Sequence, residues 1–142
     1  MTIVFKYKKI DRPKPLPSSF SPMIPITLKH KSKTLDVLGL LDSGADTTAL
    51  PKEIAEILDI DLSGEREPVV GIGDAEAITS KVEIVIQYDH ERRSIPVEIK
   101  VILGDKEDFP VLIGRSGFFD AFHITFKESE KRVVLKKVDG LR

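Results

Sequence analysis

Asp42-Ser43-Gly44 is the triplet in this sequence best suited to chemistry. A carboxylate can take or give a proton, and a hydroxyl and a glycine directly after it suit a tight turn. The residues ahead of it, Leu38-Gly39-Leu40-Leu41, form an apolar run. A buried strand is therefore expected to deliver the acid to the floor of a cleft. A carboxylate in such a place is costly unless it is hydrogen-bonded, so it would be held rigidly. One such acid per chain is half of a two-carboxylate site. Alone, the triplet is weak evidence, because surface turns favour the same three residue types. Two later segments add to it: Val70-Gly71-Ile72-Gly73-Asp74, with strand character broken by glycines, and the apolar Val111-Leu112-Ile113 ending in Gly114-Arg115.

The elements that must position these residues are mostly strands. Residues 2–8 alternate loosely. Pro13, Pro15, Pro17, Pro22 and Pro25 mark an extended connector. Ile24–Lys29 and Thr34–Leu41 read as two strands around a polar turn, with the acid immediately after them. Leu50–Leu58 reads as a helix, with Leu50, Ile54, Ile57 and Leu58 on one face and Pro51 in its first turn. Lys81–Tyr88 and Ser94–Leu103 alternate around Asp89–Arg93 and predict a hairpin. Ser116–Phe122 is expected to be a short helix. His123–Lys127 and Arg132–Val138 are expected to form a last hairpin. Many short strands with two short helices predict an all-β domain, closed or partly closed as a barrel.

Composition narrows the chemistry. A chain of 142 residues suits one domain with its own core. It has no cysteine, which removes disulfides, thiolate metal sites and a cysteine nucleophile. His30, His90 and His123 are scattered, so no metal site is expected. Gly71-Ile72-Gly73-Asp74-Ala75-Glu76 lacks the third glycine of a dinucleotide loop. Gly114-Arg115-Ser116-Gly117-Phe118 lacks the final glycine of a nucleophile elbow. A net charge of −1 gives no reason to expect nucleic acid or an anionic membrane as partner. The basic lead Lys6–Lys14 reads as a solvated arm. Phe118, Phe119, Phe122 and Phe126 read as core or as a contact between copies. No secretory leader and no spanning run of about 20 apolar residues is evident, so a cytoplasmic location is expected.

Taken in order, three blocks resemble the retropepsin-like aspartic proteases, the single-domain family that includes the retroviral proteases. They are Leu40-Leu41-Asp42-Ser43-Gly44-Ala45-Asp46, Val70-Gly71-Ile72-Gly73 and Val111-Leu112-Ile113-Gly114-Arg115. The resemblance covers roughly Ile24 to Phe126. It implies an acid-protease barrel with one lobe per chain, working as a homodimer on a polypeptide held extended. It implies that Asp42 is the catalytic aspartate and pairs with Asp42 of a second copy. Ser43 would brace the two active-site turns, and Gly44 would allow close approach of backbone and substrate. Ala45 and Asp46 would border the substrate main chain. Val70, Gly71, Ile72, Gly73 and Asp74 would form a flap over it. Gly114 and Arg115 would be structural support, with Arg115 paired to Asp46. No cofactor is implied.

The chain departs from the retroviral pattern in three places. Asp74 and Glu76 make the flap region acidic, a proline-rich lead precedes the domain, and Arg132–Val138 adds a final strand. Residues 1–23 are therefore expected to be an N-terminal strand and lead, and residues 24–142 the protease-like domain. The rival reading is a non-catalytic dimerisation or peptide-binding module on the same fold. An occluding lead that needs removal is a third possibility.

Overall fold

The computed structural model describes residues 2–69, 75–104 and 109–139. In chain order its strands begin with β1 (Thr2–Lys6), β2 (Lys8–Ile10), β3 (Ser19–Ser21), β4 (Met23–His30), β5 (Lys33–Leu41) and β6 (Thr48–Pro51). A short helix, α1 (Lys52–Ile57), follows. After it come β7 (Arg66–Pro68), β8 (Glu76–Tyr88), β9 (Glu91–Leu103), β10 (Val111–Ile113), β11 (Phe122–Lys127) and β12 (Arg132–Lys137).

Period-two alternation builds the barrel. Six strands run β4-β5-β10-β6-β9-β8, and β8 pairs back onto β4 to close the ring. The β8–β9 ladder is the longest, from Glu76 opposite Leu103 to Tyr88 opposite Glu91. Alternate residues along its middle are buried, Val82, Ile84 and Ile86 on one strand and Ile95, Val97, Ile99 and Val101 on the other, and Val85 is buried as well. Ile24, Ile26 and Leu28 of β4 join the same core. Pro25 is tolerated because it precedes Thr27–Lys29, where β4 also pairs with β8 and needs its second ladder.

Three sequence expectations are corrected. α1 is only six residues long, and Leu50 belongs to β6. The buried arc of α1 and its cap runs through Ile54, Leu58 and Ala55, which leaves Ile57 about 60° outside it and 56% exposed. The expected helix at Ser116–Phe122 is a single irregular turn. Gly117 has φ of 83° and Ser116 has ψ of 123°, so helical bonding cannot propagate through them. Asp120 Oδ2 accepts the Gly117 N–H at 2.9 Å, and β11 has started by Phe122. Finally, the lead is not a bare connector. Lys8–Ile10 and Ser19–Ser21 pair as a hairpin. β1 pairs with β12 from the far end of the chain.

That last pairing makes the N-terminus part of the core. β1, β12 and β11 form a second sheet whose inner residues Ile3, Leu135, Val133 and Phe122 are buried with Phe118 of the barrel side. Tyr7 is also buried, and its N–H donates to the Lys131 carbonyl at 2.8 Å. Deleting residues 1–19 removes Ile3 and Tyr7 from the core and leaves β12 without one neighbour. Losing two such side chains costs at least about 3 kcal/mol. Urea unfolding should show a clearly lower midpoint for the truncated chain. Equal midpoints would mean that the lead is detachable.

Among the described residues no helix is long and apolar enough to cross a membrane.

Candidate active site

Asp42 stands where β5 ends, half-buried, after a fully engaged strand. β10 lies between the strand entering the turn and the strand leaving it. Leu112 faces Leu40 of β5 in parallel register and Ala49 of β6 in antiparallel register. The Asp42 N–H donates to the Ile113 carbonyl at 3.0 Å, so the acid's own backbone is fixed to β10. The turn then closes on itself. Gly44 N–H donates to Asp42 Oδ1 at 2.9 Å, and Ala45 N–H to the Asp42 carbonyl at 3.2 Å. This is the local hydrogen bonding that Asp favours before a small residue.

The other side of the turn is stapled as well. Arg115 N–H donates to the Ala45 carbonyl at 2.9 Å, and Ser116 N–H to the Asp46 carbonyl at 2.8 Å. Arg115 Nη2 donates to Asp46 Oδ1, and both side chains are largely exposed. An exposed ion pair contributes at most about 1 kcal/mol. The main-chain bonds therefore do most of the positioning.

Sequence reasoning passed over Thr48. It is the only fully buried polar side chain among the described residues, and its Oγ1 accepts the Gly114 N–H at 3.1 Å. The bond ties β6 to the residue that follows β10. The one cue was a hydroxyl opening the apolar run Ala49-Leu50, where a polar atom must find a partner.

The structure thus brings Asp42, Ser43, Gly44, Ala45 and Asp46 together with Gly114 and Arg115. Ser43, Gly44 and Asp46 are exposed on one chain. Val70, Gly71, Ile72, Gly73 and Asp74 lie outside the described residues. Their flanks are paired, with Pro68 opposite Glu76, and Val69 N–H donates to the Ala75 carbonyl at 3.0 Å. β7 is clasped to the β8–β9 ladder by side chains. Lys100 Nζ donates to Glu67 and, at 2.7 Å, to Thr79 Oγ1, which in turn donates to Glu67 Oε1 at 2.8 Å. The Lys100 hydrogen bond first, then that of Thr79, holds the Glu67 carboxyl below its ordinary 4.5. A lowered carboxyl favours the folded state above that ordinary value, and the contribution fades as pH falls through the lower folded one.

Among the described residues no group of three or more His, Asp or Glu side chains is arranged to hold a metal ion. A groove of about 470 Å³ on the outside of the barrel is lined by Thr27, Asp36, Val37 and Gln87, among others, and does not include Asp42.

No protein-family model matches the sequence, and no curated protein does. Solved structures do match in shape. A retropepsin-like aspartic protease from Rickettsia conorii superposes with a TM-score of 0.62 at 18% identity, over 95% of this chain and 90% of that one. The retroviral protease-like domain of Ddi1 from Leishmania major superposes with a TM-score of 0.52 at 14% identity, over 85% of this chain and 98% of that one. At such identities shape is what is shared. With a six-stranded ring and an acid-bearing turn held against β10, this chain has the retropepsin-like fold.

Proposed function

We propose that the chain is an aspartic endopeptidase acting as a homodimer, with Asp42 of each copy forming one catalytic dyad. The observation that carries this reading is the seat of Asp42 on this fold. Its backbone is fixed to β10, its Oδ1 accepts the Gly44 N–H, and among the described residues no hydrogen bond engages its Oδ2. One chain offers one such acid, so a second copy completes the pair.

Two carboxylates held close share one proton, because both cannot ionise easily. The ionised one takes a proton from water as the oxygen attacks the scissile carbonyl carbon. The protonated one donates to the carbonyl oxygen, giving a tetrahedral diol. Return of a proton to the leaving nitrogen breaks the C–N bond and yields acid and amine. The nucleophile is water, so the reaction calls for no cofactor. Ser43 braces one turn against the other, and Ala45 and Asp46 border the substrate main chain. Residues 70–74 close over a peptide bound as an extended strand.

Activity should be bell-shaped in pH. It falls at high pH as the shared proton is lost, and at low pH as both groups become protonated. The test is incubation of the purified full chain with a diverse peptide library across about pH 4–7, where such a dyad operates. A pepstatin-type inhibitor forms a second arm. Internal cleavage suppressed by the inhibitor is expected. No cleavage at any pH, from protein shown to be dimeric, would contradict the enzyme and leave the peptide-binding module.

A further inference from the structure

The second sheet carries an arrangement of charge that its own fold does not use. In the β1–β12–β11 register, Lys6 faces Arg132 and Arg132 faces Lys127. All three side chains are exposed. Three cations thus stand side by side on one face, with neighbouring strands about 4.8 Å apart. Like charges placed directly opposite destabilise a sheet. Two rows along the same face, Lys136 lies beside His123, about 13 Å from Arg132 along β12. The row between them is Val4, Val134 and Thr125, with Val4 47% exposed.

Among the described residues none of Lys6, Lys127, Arg132 and Lys136 has a carboxylate partner within ion-pair distance. Glu128, next to Lys127 in the chain, is already engaged, since its Oε2 accepts from Lys131 Nζ at 3.0 Å, and Glu130, two residues from Arg132, forms no ion pair with it. The whole chain carries 22 Lys and Arg against 23 Asp and Glu, so this is a local concentration rather than a basic protein. Counter-charge collects elsewhere, at Glu53, Glu56, Asp59, Asp61 and Glu65 on and after α1.

We infer that the outer face of the β1–β12–β11 sheet docks an acidic, extended segment of another polypeptide. The pattern is cationic, apolar, cationic along the strands. A strand whose carboxylates flank an apolar residue matches it in spacing and in charge. A nucleic acid fits less well. The face offers His123 as its single ring for base stacking. The inference is separate from the catalytic reading, because binding to this face needs no cleavage.

The test uses the full chain carrying Asp42→Asn, so that no probe is cut. The probe is a fluorescein-labelled peptide about eight residues long whose every second residue reads Glu, Val, Glu, with Thr between them, so that one face of the extended chain spans both basic rows. Fluorescence anisotropy at low salt should show saturable binding. Lys6→Gln/Lys127→Gln/Arg132→Gln should weaken it tenfold or more, and so should about 0.5 M salt, where charges are screened beyond a few ångströms. Lys81→Gln on the barrel should leave it unchanged. The triple variant relieves opposed like charges, so its urea midpoint should not fall. An absence of binding at low salt, or equal binding by the triple variant, would overturn the inference. So would displacement by an oligonucleotide of equal length at a tenth of the concentration of unlabelled peptide, which would reassign the face to nucleic acid. A change in self-association in place of a change in peptide binding would reassign it to contact between copies.

Discussion

Asp42→Asn is expected to reduce peptide hydrolysis by at least about 10³-fold while leaving the fold intact, because it removes the only group able to move the proton. The side chain keeps its shape. An Asn Oδ1 still accepts the Gly44 N–H that Asp42 Oδ1 accepts at 2.9 Å, and the bond from the Asp42 N–H to Ile113 is untouched. Urea midpoints and sedimentation should therefore match the wild type. In a dimer the change replaces a pair that carries one negative charge at the two-fold axis by two neutral amides, so association should be largely unchanged. Turnover within tenfold of wild type, in a preparation free of other proteases, would remove Asp42 from the mechanism. Lost turnover together with a lost fold would instead make Asp42 a structural residue.

The largest effect on stability is expected from Gly114→Ala. A Cβ at Gly114 would lie 2.4 Å from the carbonyl carbon and oxygen of Thr47 and 2.8 Å from its nitrogen. All three are main-chain atoms, so no rotamer change relieves the overlap. The two segments must move apart, which strains the bond from Gly114 N–H to the buried Thr48 hydroxyl. A cost of about 3 kcal/mol or more is expected, with a fall in Tm of roughly 10 °C for a chain of this size. Gly44→Ala is the contrast. Its Cβ would meet only Asp42 Oδ1, at 3.3 Å, so the fold should survive while the carboxylate shifts. Thermal melts of both variants check the pair. A Gly114→Ala protein melting within a degree or two of wild type would show that β10 does not clamp the Asp42 turn as described.

What the sequence revealed followed from interactions local to the chain. The alternation of Val82, Ile84 and Ile86 against Lys81, Glu83 and Gln87 is a property of one strand, and burial follows it at those positions, with Val85 buried in addition. The Asp42 turn is equally local, since its closing bonds join residues two and three apart. What stayed hidden depends on partners distant in sequence. Nothing in Thr2–Lys6 says that Ile3 will lie opposite Leu135. Thr48 belonged to no expected element, and its role depends on Gly114, 66 residues further along the chain. The run Ser116–Phe122 has apolar residues at helical spacing, yet Gly117 takes a left-handed conformation against Val97 and Pro96 of β9. Ile57 satisfied a helical face on paper, but β6 and β9 cover α1 from the side of Leu58 and Ala55. Residues 70–74, the other candidate part of the site, lie outside the described residues.

The central claim is that two copies of Asp42 make one site, and mixing measures this directly. Wild-type chain is combined with an equal amount of the Asp42→Asn chain under conditions in which dimers exchange, and hydrolysis is read at fixed total protein. With free exchange about one quarter of the dimers keep both acids, so activity should fall to about one quarter of that of an all-wild-type sample. Activity at about one half, linear in the wild-type fraction, would mean that each chain works alone and would contradict the shared dyad.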